Sequence, residues 1–296
     1  ADEAMLDQAV AGAKVAAAKW ALTDIDERKA LIHKIADAIN ANIEPLAKAL
    51  TQEQGKPLAA ATMEVQYAEI FCRYFTSLNL ENEVLVDDEN QRVEVQRTPL
   101  GVVAGILPWN FPLLIGIYKI APSILAGNSI ILKPAPTTPV VSVMLGEILK
   151  DVVPAGLVNI LVDDNDLGPK ITSHPGIDKI SFTGSTPTGK AIMSSAASTL
   201  KRITLELGGN DAAIALDDID VKAAAQGIFN TAFINSGQVC IALKRLYAHE
   251  SIYDELCEEI ASLARQAVVG NGLDEATQFG PVQNKIQNYD FRPKKG

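Results

Sequence analysis

The chain has 296 residues, a net charge of −10, and 48% apolar against 21% charged residues, a balance that describes a globular protein large enough for more than one packed unit. The acidic balance argues against a nucleic-acid partner, because phosphate backbones demand basic patches. Apolar runs such as 140–145 are too short to cross a bilayer, and the acidic start Ala1-Asp2-Glu3-Ala4 carries no cationic leader, so neither a membrane partner nor secretion is expected.

Residues 1 to about 85 are expected to be helical. Over 27–50, apolar side chains at Leu31, Ile32, Ile35, Ile39, Ile43, Leu46 and Leu50 line one helical face, with a break or kink at Pro45 and Thr23 or Asp24 as cap. Residues 58–80 repeat the pattern. From residue 93 the texture changes. Arg92-Val93-Glu94-Val95-Gln96-Arg97 alternates like a half-exposed strand. Apolar runs at 101–107, 129–133, 157–162, 179–182 and 203–207 then alternate with helical stretches at 113–125, 139–152 and 187–200. Thr138-Pro139 and Thr186-Pro187 read as hydroxyl N-caps before a first-turn proline. This rhythm predicts an α/β fold: an open, mainly parallel sheet with helices on both faces.

A second unit begins near Asn210, with strands at 212–216 and 246–249 and helices at 221–232 and 253–267. Residues 288–296 show no periodicity and read as an irregular tail. The expected domains are therefore 1–208, the leading helices with a dinucleotide-type sheet, and 209–296, part of a further α/β domain.

Three cysteines with no paired spacing fit a reducing, cytoplasmic setting. Cys72 and Cys257 read as helix-packing residues. His33, His174 and His249 lie far apart, so no metal site is expected. Cys240 is different. It follows a Gly-Gln turn in Asn235-Ser236-Gly237-Gln238-Val239-Cys240, and Glu206 stands alone among apolar and glycine residues in Leu205-Glu206-Leu207-Gly208-Gly209-Asn210. A lone thiol and a desolvated carboxylate suit covalent attack followed by water activation. The plainer reading of such a cysteine is a small core hydrophobe.

Three further segments each carry two or more readings. Gly184-Ser185-Thr186-Pro187-Thr188-Gly189-Lys190-Ala191 fits a phosphate loop, although Ala191 replaces the metal-binding hydroxyl and Pro187 removes an amide. It also reads as an ordinary helix start, or as a helix N-terminus that holds a diphosphate without metal. Lys133 is either a snorkelling strand-end lysine or a ligand group at the sheet's carboxyl edge. Lys119 reads locally as a structural or surface residue. Pro108-Trp109-Asn110-Phe111-Pro112 is either a rigid turn or a mount that aims the Asn110 amide into a cleft.

In order and spacing, five segments resemble the aldehyde dehydrogenase superfamily: Pro108 to Pro112, Lys133-Pro134-Ala135, Phe182-Thr183-Gly184-Ser185, Leu205 to Gly209 and Asn235 to Cys240. The similarity runs from near residue 5 to about residue 285 and decides against the phosphate-loop ATPase. It implies oxidation of a small aldehyde to a carboxylic acid, with NAD or NADP as hydride acceptor. By resemblance Cys240 is the nucleophile that forms a thiohemiacetal and then a thioester. Asn110 and the Cys240 amide hold the oxyanion, Glu206 activates water, and Lys119 assists proton transfer. The implied cofactor contacts are Trp109, Lys133, the position of Pro136, Thr183, Gly184, Ser185 and Leu207. The family's dinucleotide domain is Rossmann-like without the usual glycine fingerprint, and none is present here.

Three departures stand out. Pro136 occupies the place where NAD-preferring members carry a glutamate that repels a 2′-phosphate, which leaves both cofactors open. Asp163-Asp164-Asn165 replaces a glycine-containing turn. The chain is also shorter than its relatives. An N-terminal strand, most of the catalytic domain beyond Asn284, a Glu-x-Phe-Gly-Pro motif and the hairpin and strand used for homo-oligomerisation are expected to be missing. Phe279-Gly280-Pro281 is not that motif. The competing expectation is thus a catalytically silent dinucleotide-binding remnant. In it the apolar faces of Ile214, Ile228, Phe233, Leu256 and Ile260 would meet water.

Overall fold

The structure, a computed structural model, describes residues 1–290. Four helices lead: α1 (Glu3–Trp20), α2 (Ile25–Asn40), α3 (Ile43–Gln54) and α4 (Leu58–Thr76). The single helix expected over 27–50 is two. The chain breaks at Ala41-Asn42, and Pro45 falls in the first turn of α3, where its missing N–H has no intrahelical partner to lose. Asp24 precedes α2 but makes no side-chain cap. A short exposed hairpin follows, β1 (Glu83–Asp87) with β2 (Arg92–Val95), so the helical region ends before residue 83.

The alternating region forms β3 (Val102–Ile106), α5 (Pro112–Leu125), β4 (Ser129–Lys133), α6 (Val140–Leu149), β5 (Val158–Ile160), α7 (Leu167–Ser173), β6 (Lys179–Thr183), α8 (Thr186–Ala197) and β7 (Arg202–Glu206). Its strands form one five-stranded sheet in the order β5-β4-β3-β6-β7, every pairing parallel. β3 and β4 are buried throughout, which is why both read as unbroken apolar runs. α5 packs on α6 and both on α2, while α7 packs on α8 and on α1. The two helix sets follow from right-handed crossovers that run outward from β3 in opposite directions. The expected α/β class is the observed one.

The last part contains β8 (Asp211–Ala215), α9 (Val221–Phe233), β9 (Leu243–Ala248), α10 (Tyr253–Gln266) and α11 (Lys285–Asp290). β8 and β9 pair in parallel. Contacts divide the chain into two compact units, one of Ala1–Leu46 with Met63–Glu206, the other of Ala47–Thr62 with Leu207–Gly296. The second unit has its own core. Leu256 and Ala225 are fully buried with Ala215 and Ile252, and Ile228, Leu246 and Ile260 pack against them. The expectation that five apolar side chains would meet water is therefore corrected for Leu256, Ile228 and Ile260. It holds for Ile214 and Phe233, which are 74% and 42% exposed.

Two smaller expectations also change. Residues 288–290 of the expected irregular tail belong to α11, and 291–296 lie outside the described residues. Cys257 is exposed on α10 rather than packed, whereas Cys72 is buried and its thiol is pushed up to about 12 by desolvation. Among the described residues, no helix is long and apolar enough to cross a membrane.

Candidate functional site

In the first unit, the connections leaving β3 and β6 run to opposite faces, although these strands are neighbours. Such a switch in strand order opens a crevice at the carboxyl ends of a parallel sheet. The register brings sequence-predicted residues to that edge. Lys133 stands opposite Ile106, Ile106 opposite Phe182, and Thr183 opposite Glu206. The loop 107–111 leaves β3 at the same level, and Gly184-Ser185 leaves β6 there. Trp109, Asn110, Lys133, Pro136, Thr183, Gly184, Ser185 and Glu206 thus share one edge of one sheet. Leu207, half-buried, follows β7 directly.

The loop after β3 is tied at both ends. Asn110 Oδ1 accepts from the Phe111 amide at 3.0 Å, which orients the carboxamide. Pro112 opens α5, and the next amides, Leu113 and Leu114, donate to Glu64 Oε1 at 3.1 and 3.2 Å. Glu64, 2% exposed on α4, is therefore the acid at the N-terminus of α5, a role that no sequence motif assigns. A signal for it exists all the same. Ala61, Val65, Ala68 and Cys72 form the buried stripe of α4, and Glu64 lies beside it.

Lys119 is buried rather than on the surface. Its stem crosses β3 at Gly105, where a Cβ would lie 2.6 Å from Leu132 and 3.2 Å from Lys119 Cδ. Its ammonium then donates to Ser181 Oγ at 3.1 Å and Thr183 Oγ1 at 3.0 Å on β6. Desolvation pulls this lysine down to about 8, and the carboxylate of Glu206 opposes the shift. Glu206 itself is exposed, so the expected desolvated carboxylate is not observed: it sits at the open end of β7.

Ser185, not Thr186, is the N-cap of α8. Its Oγ accepts from the Thr188 amide at 3.3 Å and lies 2.8 Å from Thr188 Oγ1. The Gly184 amide donates to the Glu206 carbonyl at 3.0 Å, which extends the β6–β7 pairing into the loop. Thr138 does not cap α6. Pro139 takes the cap position without a side-chain bond, and Thr138 Oγ1 is buried with no hydrogen bond. Pro136 is exposed.

Lys133 is 2% exposed, which corrects the snorkelling reading. Its Nζ lies 2.7 Å from Asp163 Oδ1 and donates to Asn165 Oδ1 at 3.2 Å. Asp163 Oδ1 is off the line of a hydrogen bond, while its Oδ2 accepts from the Leu167 amide at 2.9 Å at the start of α7. Asn165 adopts a left-handed conformation with φ 76°.

In the second unit, Cys240 is exposed. The turn before it has three consecutive residues with positive φ: Asn235 at 50°, Ser236 at 58° and Gly237 at 76°. Two of these are not glycine, a conformation that costs of order 1–3 kcal/mol per residue and needs outside support. Ser236 Oγ donates to the Gly280 carbonyl at 2.8 Å. The buried Gln238 donates through Nε2 to the Asn235 carbonyl at 2.9 Å and accepts from the Gln283 amide at 2.8 Å. Lys244 Nζ reaches the carbonyls of Val239, Cys240 and Ala242 at 2.9–3.1 Å. Gln238 and Lys244 hold the cysteine loop; Gln238 lies inside the Asn235 to Cys240 segment singled out in the sequence, whereas Lys244 does not stand out there, since its partners are backbone carbonyls.

The sequence model of the Aldehyde dehydrogenase family matches residues 1–292. Aldehyde dehydrogenase LUC3 of a Fusarium species is 42% identical over 282 residues, 95% of this chain and 59% of LUC3. The crystal structure of PnpE from Pseudomonas sp. WBC-3 superposes with a TM-score of 0.94 at 37% identity, covering 98% of this chain and 61% of that one. A point mutant of betaine aldehyde dehydrogenase from Staphylococcus aureus, in complex with NAD+, gives 0.91 at 31% identity, covering 96% and 58%. The chain thus spans about three-fifths of the length of the relatives it matches.

Proposed function

The chain belongs to the aldehyde dehydrogenase family, and from that premise we propose that the protein oxidises an aldehyde to a carboxylic acid, with NAD or NADP taking the hydride. One observation carries the proposal. The family's motifs for Asn110, Lys133, Ser185 and Glu206 fall on a single carboxyl edge beside the strand-order switch, where open parallel sheets bind ligands.

The residues present fit a dinucleotide. Thr138 Oγ1, five residues after Lys133, is a buried polar atom without a hydrogen bond, and such an atom calls for a partner. The N-terminus of α8 offers backbone amides and the positive end of a helix dipole to a diphosphate. Lys133 and the stretch at Pro136 would hold the adenosine ribose, and Trp109, Thr183, Gly184, Ser185 and Leu207 would line the path of the rest. When bound, the nicotinamide supplies the hydride acceptor.

Cys240 supplies the nucleophile. Its thiolate adds to the carbonyl carbon, forming a carbon–sulfur bond, and the Asn110 amide stabilises the oxyanion. Loss of hydride from that carbon leaves a thioester. Glu206 takes a proton from water as the water attacks the thioester carbon. The carbon–sulfur bond breaks, and the carboxylic acid leaves the regenerated thiolate. An exposed Glu206 is accessible to water, as this step requires. Lys119, linked to Ser181 and Thr183, carries a proton near the same edge.

The test follows NADH or NADPH formation with a panel of aldehydes beside a cofactor titration. Cys240→Ala is expected to abolish turnover and leave cofactor affinity unchanged. Glu206→Gln is expected to keep a first burst of reduced cofactor while the steady rate falls by roughly 10²–10⁴. Substantial steady turnover in Cys240→Ala would overturn the proposal.

A further inference from the structure

We propose that Asp163 selects a dinucleotide without a 2′-phosphate. It would do the work of the carboxylate that the sequence lacks at Pro136, but from the segment that follows the neighbouring strand, β5. The proposal rests on the cofactor reading above and adds the discrimination between NAD and NADP.

Lys133 is the cation at the carboxyl end of β4, and a 2′-phosphate would need such a cation. In this chain it already has a counter-charge. Asp163 follows β5, the edge strand paired with β4, and its side chain is fully buried 2.7 Å from the Lys133 ammonium. The pair is closed further by Asn165, whose left-handed backbone turns its Oδ1 to within 3.2 Å of the same ammonium. Asp163 is also anchored, because its Oδ2 accepts from the Leu167 amide at the start of α7. The carboxylate therefore cannot swing away without releasing that helix end.

Two consequences follow for a ribose at Lys133. The ammonium is neutralised by a buried carboxylate, so the pocket offers no net positive charge to a phosphate dianion. The carboxylate also repels that dianion at close range, where like charges cost enough to change affinity about tenfold or more. A ribose hydroxyl meets neither penalty. Exposed Pro136 adds no charge of either sign.

The experiment measures the dissociation constants of NAD+ and NADP+ by titration calorimetry for the unaltered chain and for Asp163→Asn. Asparagine keeps an oxygen for the Leu167 amide but loses the charge. The unaltered chain is expected to bind NAD+ about tenfold or more tightly than NADP+. In Asp163→Asn that ratio is expected to shrink about tenfold or invert, because the buried ammonium of Lys133 is left for the 2′-phosphate to neutralise. The unaltered chain is a sufficient test even if the variant fails to fold: NADP+ binding as tight as NAD+ overturns the assignment. So does a folded Asp163→Asn, shown by its circular dichroism melt, with an unchanged ratio. Failure of the unaltered chain to bind either dinucleotide overturns the cofactor reading, and the Asp163 assignment with it.

Discussion

Lys119 shows what burial does to a single charge. In the fold its ammonium has two hydroxyl partners and a distant carboxylate, and desolvation still wins, bringing the group from 10.5 down to about 8. A lysine with a depressed folded value makes the fold less stable below that value, where it must be buried charged. Between about pH 8 and 10.5 the unfolded chain binds the extra proton, so stability rises with pH across that window. The gain is on the order of 3 kcal/mol. Lys119→Met, which keeps the stem beside Gly105, is expected to lose this rise. Urea midpoints at pH 7.5 and 10 for both proteins, compared as a difference, test it. An equal rise in the methionine variant would mean that Lys119 is not the group responsible.

The same scale separates what is legible in the sequence from what is not. A lysine at the end of a buried strand is visible at Lys133, but its burial depends on Asp163, thirty residues on, and no local pattern couples the two. Glu206 is expected to be desolvated because its sequence neighbours are apolar. Their side chains alternate about the strand, with Leu205 half-buried and Glu206 exposed at its end. Cys257 departs from expectation for a similar reason. It lies on an amphipathic helix whose buried face is centred on Leu256, one position away and so about 100° round.

At the scale of elements, periodicity locates the long helices and the buried strands because each shows a run of repeating signal. It misses α7, seven residues long, and β1, whose five residues are mostly exposed. The expected cap falls one residue late at α8, since neighbouring serine and threonine hydroxyls compete for the same amides and only geometry chooses between them, and at α6 the expected hydroxyl cap is absent, Pro139 taking the position without a side-chain bond. The cap that matters most for the site comes from another helix. Glu64 satisfies two first-turn amides of α5 and so sets the helix that carries Lys119 and follows the Asn110 loop. Glu64→Ala leaves both amides without their acceptor and is expected to destabilise by about 1–3 kcal/mol. A denaturant midpoint unchanged from the parent would show that water replaces the carboxylate at no cost.

A parallel contrast exists in the second unit. A Cβ at Gly280 would lie 1.8 Å from the Gly55 carbonyl oxygen, whereas at Gly227 on α9 nothing lies within 4 Å. Gly280→Ala must push backbone from backbone and is expected to cost about 1–3 kcal/mol or more. Gly227→Ala should stabilise the helix by about 0.5–1 kcal/mol. Opposite shifts of the thermal midpoint check the pair. Because the Gly280 carbonyl also accepts from Ser236, the first change should raise the reactivity or disorder of the Cys240 loop as well, read by thiol alkylation.

For the whole molecule, the alternation of strands and helices is enough to predict a parallel sheet, because both faces must be covered by the connecting helices. It is not enough to reveal that Ala47–Thr62 belongs with the second unit. That membership rests on contacts such as the Leu58 amide to the Gly272 carbonyl at 2.8 Å, a backbone pairing with no side-chain signature. The sheet, by contrast, makes a prediction about where a bound dinucleotide is felt. Ligand at about a hundred times its dissociation constant stabilises the bound form by about 2.7 kcal/mol. That energy should appear as slowed amide exchange where the contacts are made. Protection is expected to increase at residues 107–111, 133–138, 162–167 and 184–188, the segments that leave the carboxyl ends of β3, β4, β5 and β6. The amino ends of the same strands, at 102–103 and 129–130, are already buried and should change least. Exchange measured with and without NAD+ decides the matter. Protection centred on the amino ends, or confined to the 268–281 loop of the second unit, would move the binding site away from the strand-order switch and withdraw the roles given to Lys133 and Ser185.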